Sequence, residues 1–325
     1  MAQVQRQEIL LESGTNEMEI IEFYLGVQSF GINVQKLKEI IPYDEGQLTV
    51  IPESAPSMLG TLLLRGSTIP LIDLKKHLGR RNTAEEDGEV REVVLVCEFN
   101  NRTNGFKVDG VNQIHRVNWS DVHPMATFID QYRPRFTGSL NIEGREILIV
   151  DLEHIVAEFD PEAALDNNSE VLAAIVAKKE MGPGENRQQR RILLAEDSSL
   201  IRSGIEKVLK GAGYTNMRSF VDGEDCYREI LRLKEEAMEA GEPIGSRLNL
   251  LITDIEMPKM DGLTLCRKVK EDPVLKDVIV VLFSSLINEQ MAAKCDSVGA
   301  DGYATKPEIP KLVGMMDAFL FASES

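Results

Sequence analysis

Two spacings of apolar residues divide the chain near residue 160. Before it, apolar and polar positions alternate in short runs separated by turn residues, at 20–25, 29–34, 68–74, 92–98, 103–108, 110–117 and 145–150. A period of two marks a half-buried strand, because successive side chains leave opposite faces. Asn-Arg-Thr-Asn-Gly at 101–105 reads as a hairpin connection. Only 34–41 and 152–158 carry the spacing of short helical turns. The first half is therefore expected to be all-β, a barrel or sandwich.

From 160 to 189 the texture changes. Asp160-Pro161 stops one element, 163–179 is alanine-rich with helical spacing, and Met181-Gly182-Pro183-Gly184 breaks that spacing before a polar stretch. A linker, part helix and part coil, is expected here. After Arg190, continuous apolar runs alternate with helical stretches. The run 192–196 is followed by a helical pattern over 199–210, expected to end at Gly211, and similar apolar runs recur at 248–254, 278–284 and 302–305. Strands apolar on both faces belong in a parallel sheet covered by helices on both sides, so the recurrence of such units predicts a doubly wound α/β domain.

Length and charge narrow the function. A chain of 325 residues suits two cores better than one. A net charge of -17, with no basic cluster larger than Arg80-Arg81 or Arg190-Arg191, argues against nucleic acid as a partner. No apolar run approaches the roughly 20 residues that span a bilayer, and Met1 to Ser13 lacks a signal-peptide core, so a cytoplasmic protein without direct membrane insertion is expected. Cys97, Cys226, Cys266 and Cys295 show no CxxC spacing and are expected as reduced thiols. The four histidines are scattered without a metal spacing.

The chemistry gathers at the strand ends of the second half. In a doubly wound sheet these ends converge on one edge, where ligands bind. They carry Glu196-Asp197, Asp254, Ser284-Ser285 and Lys306-Pro307. Carboxylates collected at one edge repel one another, so a divalent cation is their natural counter-ion. Mg²⁺ takes a few carboxylates plus water and phosphate oxygens. Asp197 and Asp254 supply that set, with Glu196 better placed to act through water. One carboxylate could then attack phosphorus and form an acyl phosphate, with Lys306 balancing charge and the Ser284 hydroxyl donating to a phosphoryl oxygen. A single acidic residue at a strand end is ordinarily a helix cap or a solvated charge. Four matching positions together are not explained that way.

With these residues in view, 190–322 resembles the receiver domain of two-component signalling. The resemblance lies in Leu-Leu-Ala-Glu-Asp-Ser-Ser, Leu-Ile-Thr-Asp-Ile-Glu-Met-Pro with Met-Asp-Gly after it, Val-Leu-Phe-Ser-Ser, and Gly-Tyr-Ala-Thr-Lys-Pro. It implies a flavodoxin-like five-stranded parallel sheet, with Asp254 as phosphoacceptor and Glu196 and Asp197 as the acidic pair around Mg²⁺. It also implies the Glu256 backbone carbonyl as a further metal ligand, Ser284 as switch hydroxyl, Tyr303 as switch aromatic, Lys306 as the lysine of the site, and a cis bond at Lys306-Pro307. Three departures stand out: the acidic pair begins with Glu, an acidic Glu256 lies two residues after the acceptor, and 234–247 lengthens the connection before the third strand.

Residues 17–159 resemble CheW-type coupling domains, a fold of two small β barrels. The matching pieces are Phe23-Tyr24-Leu25-Gly26 with Phe30-Gly31-Ile32, Lys38-Glu39-Ile40-Ile41-Pro42, Met58-Leu59-Gly60 running to Leu64-Arg65-Gly66, and Ile69-Pro70-Leu71-Ile72-Asp73-Leu74. Gly105–Gln113, Gly138 and Ile149-Val150-Asp151-Leu152 complete them. By position, Leu37, Glu39, Gly60 and Arg65 would belong to the partner-binding surface, with a plain surface ion pair as the alternative for Arg65. Leu63 stands where the family usually has Asn.

Together the halves resemble the CheV type of chemotaxis protein, with 160–189 as linker. This implies an adaptor, not an enzyme, that couples chemoreceptors to the histidine kinase CheA at receptor arrays near the inner membrane surface, under control of phosphorylation on Asp254. A phosphate sink draining the kinase is the compatible alternative. A response regulator with another output is the rival, but a DNA-binding effector fits poorly with 24 Asp and Glu against 15 Lys and Arg over residues 1–159. A receiver-controlled esterase would need a nucleophile elbow, and the sequence has none.

Overall fold

A computed structural model describes residues 15–79, 91–100, 102–125, 135–159, 184–285, 289–306 and 309–321. They fall into two compact units: Met18–Val117 with Gly138–Asp151, and the described parts of Met1–Glu17, Asn118–Thr137 and Leu152–Ser325. No helix among them is long and apolar enough to cross a membrane.

The first unit is built on β1 (Glu17–Leu25), β2 (Gln28–Asn33), β3 (Leu37–Pro42), β4 (Leu48–Thr49), β5 (Met58–Leu64), β6 (Ser67–Asp73), β7 (Val93–Phe99), β8 (Arg102–Val108), β9 (Gly110–Asn118), β10 (Phe136–Ile142) and β11 (Arg145–Val150), with a single helical turn, α1 (Leu74–His77). One sheet runs β10-β11-β2-β1-β9 and the other β3-β7-β8-β6-β5-β4. β1 and β2 pair antiparallel from Ile20↔Asn33 to Leu25↔Gln28. This places Phe23 opposite Phe30, with the rings stacked 5.9 Å apart and both side chains buried. Truncating either to alanine would cost about 3–5 kcal/mol.

Three details depart from the sequence expectation. The stretch 34–41 holds only a 3-10 turn, Val34–Lys36, and then becomes β3, because Leu37, Glu39 and Ile41 alternate inward against β7. Of the expected hairpin connection, 102–105 is already strand, paired with the preceding strand from Phe99↔Arg102 onward. The pattern also passed over β5 and β10, whose hairpins turn at Arg65-Gly66 and Glu143-Gly144 with positive φ at both residues of each pair. Such two-residue turns match the strand twist, and Arg or Glu in first place hides them from a search for Asn-Gly or Asp-Gly.

One carboxylate is fully enclosed in this unit. Glu22 accepts from Arg145 Nη1 at 2.9 Å and Asn112 Nδ2 at 3.0 Å, and pairs with His115 Nε2 at 2.8 Å. Burial alone would raise its pKa, but hydrogen bonds from Ser29, His115, Asn112 and Arg145 outweigh burial and hold it at about 2. A carboxyl depressed in the folded state contributes stability above its unfolded pKa, and that contribution is lost as pH falls towards the folded value. We expect the first unit to lose about 3 kcal/mol of stability between pH 5 and pH 2 from this group. Denaturant unfolding of wild type and Glu22→Gln should show the gap between them closing over that window. A gap independent of pH would refute the assignment.

The second unit contains α2 (Leu152–Phe159), α3 (Gly184–Gln189), β12 (Ile192–Ala195), α4 (Ser199–Ala212), β13 (Met217–Phe220), α5 (Gly223–Ala240), β14 (Leu250–Thr253), α6 (Gly262–Glu271), β15 (Ile279–Ser284), α7 (Glu289–Ser297), β16 (Gly302–Thr305) and α8 (Ile309–Phe321). Its sheet is entirely parallel in the order β13-β12-β14-β15-β16, the flavodoxin-like doubly wound arrangement. Alternate residues of β12 feed opposite cores. Leu193 and Ala195 join Cys226, Ile230, Leu265 and Val280, while Ile192 and Leu194 join Ile205, Leu209, Val281 and Leu312.

The lengthened connection at 234–247 is structural. It extends α5 to Ala240 and adds a 3-10 turn whose Ile244 is buried beside Leu233 and Ala237. β13 was not singled out in the sequence, where Met217–Phe220 is short and half polar. α4 runs past Gly211 and ends at Gly213, which adopts φ 103 as its left-handed cap. The alanine-rich stretch 163–179 lies outside the described residues, whereas the polar residues after Pro183 form α3. The four cysteines are free and buried, and burial pushes the thiols of Cys97, Cys266 and Cys295 up to about 12. They are therefore poor nucleophiles at neutral pH.

Candidate functional site

The sheet of the second unit brings the acidic and basic strand ends together at one edge. β12 ends at Ala195 and delivers Glu196 and Asp197; β14 ends at Thr253 and delivers Asp254; Lys306 follows β16. Carboxylate oxygens of Glu196, Asp197 and Asp254 lie within 4.8 Å of one another, the only group of three or more potential metal ligands among the described residues. Glu196, Asp254 and Lys306 are 1%, 2% and 3% exposed, and Asp197 is half-buried.

Local structure holds Asp254 in place. Its backbone N–H donates to the Ala195 carbonyl at 2.9 Å, and its Oδ1 accepts from the Ile255 N–H at 2.7 Å. Its Oδ2 accepts from Lys306 Nζ at 2.8 Å. α6 begins directly behind it: a Cβ on Gly262 would lie 1.9 Å from the Asp254 carbonyl oxygen, so only glycine lets the helix start there. Asp261 caps that helix through the Thr264 N–H at 2.7 Å. The Asp-Gly pair is thus a packing requirement of the site.

Charge at the site is unbalanced. Lys306 Nζ lies 2.8 Å from Asp254, 3.2 Å from Glu196 and 3.7 Å from Glu153. Burial works against its charge, yet the carboxylates of Asp254, Glu196, Glu153 and Asp197 keep its pKa well above that of an ordinary lysine. Glu196 is pushed well above the usual carboxylate range by burial first, Lys306 opposing, and by the neighbouring acids Asp254, Asp197 and Glu153. Its Oε2 is buried with no hydrogen-bond partner among the described residues. One ammonium facing four carboxylates, with an enclosed acceptor left over, fits a hard divalent cation bound to oxygen ligands.

Ser284, at the end of β15, is fully buried, and its carbonyl accepts from the Lys306 N–H at 3.2 Å. Tyr303 on β16 is half-buried against the core that contains Leu282 and Met291. Glu256 is half-buried in the loop after Asp254. Pro307 lies outside the described residues, and the geometry of its peptide bond with it.

In the first unit Leu37 and Glu39 lie on β3, Gly60 on β5 and Arg65 in the turn after it. Arg65 Nη2 donates to Glu39 Oε2 at 2.7 Å while its side chain stays 77% exposed, so the two form a surface pair. In such exposure the pair adds about 0–1 kcal/mol. Gly60 has φ 143 at a bulge, and a Cβ there would sit 2.2 Å from the Thr49 carbonyl oxygen, which gives this glycine a backbone role. Exposed Leu63, Val50 and Ile40 belong to the same sheet or its connections.

One participant, Glu153, went unread in the sequence, and Ser285 was named there only as part of a strand end. Glu153 lies on α2 and Ser285 follows β15, and the Ser285 hydroxyl donates to Glu153 Oε1 at 2.5 Å. Glu22 was also passed over. Its signal was present, a lone acid inside the apolar run 20–25.

Fold and site together define a two-domain signalling protein. Models of the CheW-like domain and the response regulator receiver domain match residues 19–160 and 192–317. Over 307 residues the chain is 31% identical to the chemotaxis protein CheV3 of Helicobacter pylori, covering 91% of this chain and 92% of that protein. The CheV2 protein of the same organism is 27% identical over 93% of this chain and 94% of its own length. The chemotaxis protein CheW of Rhizobium meliloti, 31% identical, matches only 45% of this chain but 92% of itself. The chain belongs to the CheV family of chemotaxis proteins.

Proposed function

We propose that this protein is an adaptor that couples chemoreceptors to the histidine kinase CheA, and that phosphorylation of Asp254 regulates the coupling. In this reading residues 17–159 form the coupling domain, 160–189 the linker and 190–322 the receiver. Leu37, Glu39, Gly60 and Arg65 contribute to the partner surface, and the protein works in the cytoplasm at receptor arrays near the inner membrane surface. The observation that carries it is the buried contact of Lys306 with Asp254, 2.8 Å, beside the oxygens of Glu196 and Asp197, in a chain whose other half matches a coupling family.

Asp254 acts as the nucleophile. One of its carboxylate oxygens forms a bond to phosphorus, the bond from phosphorus to the donor breaks, and the donor leaves with the electron pair and takes up a proton. Water later attacks the same phosphorus, releasing inorganic phosphate and restoring the carboxylate. Glu196, Asp197, Asp254 and the Glu256 carbonyl would hold Mg²⁺, which supplies neutralisation of the phosphoryl charge. Lys306 orients Asp254 and carries positive charge to the new group. The Ser284 hydroxyl moves towards a phosphoryl oxygen, and Tyr303 turns inward behind it.

A few charge-assisted hydrogen bonds supply a coupling of about 1–3 kcal/mol, enough to change affinity roughly 5- to 150-fold. The test is binding of the full chain to receptor–kinase arrays, with and without beryllium fluoride as a mimic of the phosphoryl group. Wild type should change its binding or the kinase activity, and Ser284→Ala should blunt the change. Equal binding and equal kinase activity in every state would reduce the receiver to a phosphate sink.

A further inference from the structure

We infer that Glu153 is a competing anion in the seat of the phosphoryl group, and that its carboxylate must leave before Asp254 is phosphorylated. The inference rests on Asp254 as phosphoacceptor and adds to it a residue that sets how readily the reaction occurs.

Glu153 sits in the first turn of α2, between the fully buried Leu152 and Ile155, and is itself 8% exposed. A helix anchored on two apolar residues delivers this side chain, so its position does not depend on a loop. Its Oε1 accepts from the Ser285 hydroxyl at 2.5 Å, and its Oε2 lies 3.7 Å from Lys306 Nζ. The same ammonium binds Asp254 Oδ2 at 2.8 Å. Glu153 therefore draws on a hydroxyl and a cation beside the phosphoacceptor, the two kinds of donor that a phosphoryl group needs.

The two anions exclude each other. A phosphoryl group adds about 1.5–2 negative charges and three acceptor oxygens at pH 7. Next to an enclosed carboxylate that charge is repelled, and burial removes most of the ionic screening that would soften the repulsion. The resting site already carries four carboxylates around one lysine, so the phosphoryl group and Glu153 cannot both keep Lys306. Loading Asp254 expels the Glu153 carboxylate and loosens the first turn of α2. The consequence reaches beyond the site, since α2 follows β11 after a single residue, Asp151, and lies within the stretch matched by the CheW-like family. By reciprocity, anything that holds Glu153 in place suppresses phosphorylation by the same factor.

The experiment compares full-length wild type, Glu153→Gln and Glu153→Ala, each checked for folding by circular dichroism. Glu153→Gln keeps the shape and the acceptor for Ser285 but removes the charge. With Mg²⁺ present, both variants should bind beryllium fluoride about tenfold or more tightly than wild type, the size of one like-charge repulsion in a buried site, and take up phosphate from acetyl phosphate faster. In wild type, beryllium fluoride should speed amide hydrogen exchange over 152–159. Without metal or donor, Glu153→Ala alone should already exchange faster there. Unchanged or weaker beryllium fluoride binding in Glu153→Gln, or exchange over 152–159 indifferent to beryllium fluoride in wild type, overturns the inference, provided wild type is labelled on Asp254. A wild type that takes no label on Asp254 instead overturns the phosphoacceptor reading itself.

Discussion

An Asp254→Asn chain is expected to take up no phosphoryl group when incubated with Mg²⁺ and acetyl phosphate, while wild type takes up one that survives acid and is released by base. Asp254 is the carboxylate whose Oδ1 is fixed by the Ile255 N–H and whose Oδ2 is fixed by Lys306, at 2.7 Å and 2.8 Å. Asparagine has the same shape and can still accept from Ile255, so α6 keeps its close start at Gly262 and the domain should stay folded. What is lost is the anionic oxygen that attacks phosphorus. Of the other acids, Glu196 is pushed towards its neutral form and is the weaker nucleophile. Mass spectrometry of intact protein decides the matter: labelling of Asp254→Asn at the wild-type rate would move the phosphoacceptor elsewhere.

The second large effect is on stability. Replacing Lys306 by alanine leaves Asp254, Glu196 and Glu153 enclosed without their common cation, and breaking a buried charge cluster in this way costs about 3–5 kcal/mol. The loss should depend on pH. An acid whose folded pKa lies above its unfolded value binds its proton more tightly when folded, so stability falls as pH rises between the two values. Glu196 is such an acid in wild type, and Lys306 is the group that opposes its rise. Without Lys306 the folded value climbs further and the window of falling stability widens upward. Denaturant unfolding should therefore show Lys306→Ala losing more at pH 8 than at pH 5, with Mg²⁺ recovering part of the loss at pH 8. Equal losses at both pH values, unaffected by Mg²⁺, would mean that the ammonium does not hold these carboxylates.

Much of this site was legible along the chain because each member ends an apolar run. Glu196, Asp254, Ser284 and Lys306 each lie at or just after the end of a short strand-like run, and parallel strands place such ends at one edge. The turns were harder to read. Arg65-Gly66 and Glu143-Gly144 take positive φ at residues that rarely signal it, so β5 and β10 were missed. The stretch 34–41 misled because a 3-10 turn at Val34–Lys36 runs directly into the strand, and the inward set of β3 includes the acidic Glu39 between Leu37 and Ile41.

The local pattern by itself determined a β-rich half, a doubly wound α/β half and the sheet edge at which Glu196, Asp197, Asp254 and Lys306 gather, since periodicity and strand ends are properties of short segments. Only the tertiary structure decided which distant charges share an enclosure. Glu22 meets His115 and Arg145 across the first unit, and Glu153 meets Ser285 and Lys306 more than a hundred residues away. Neither partnership has a spacing that could be read in advance. A buried carboxylate is tolerated only where its partners converge in space, and that convergence is a product of the whole fold.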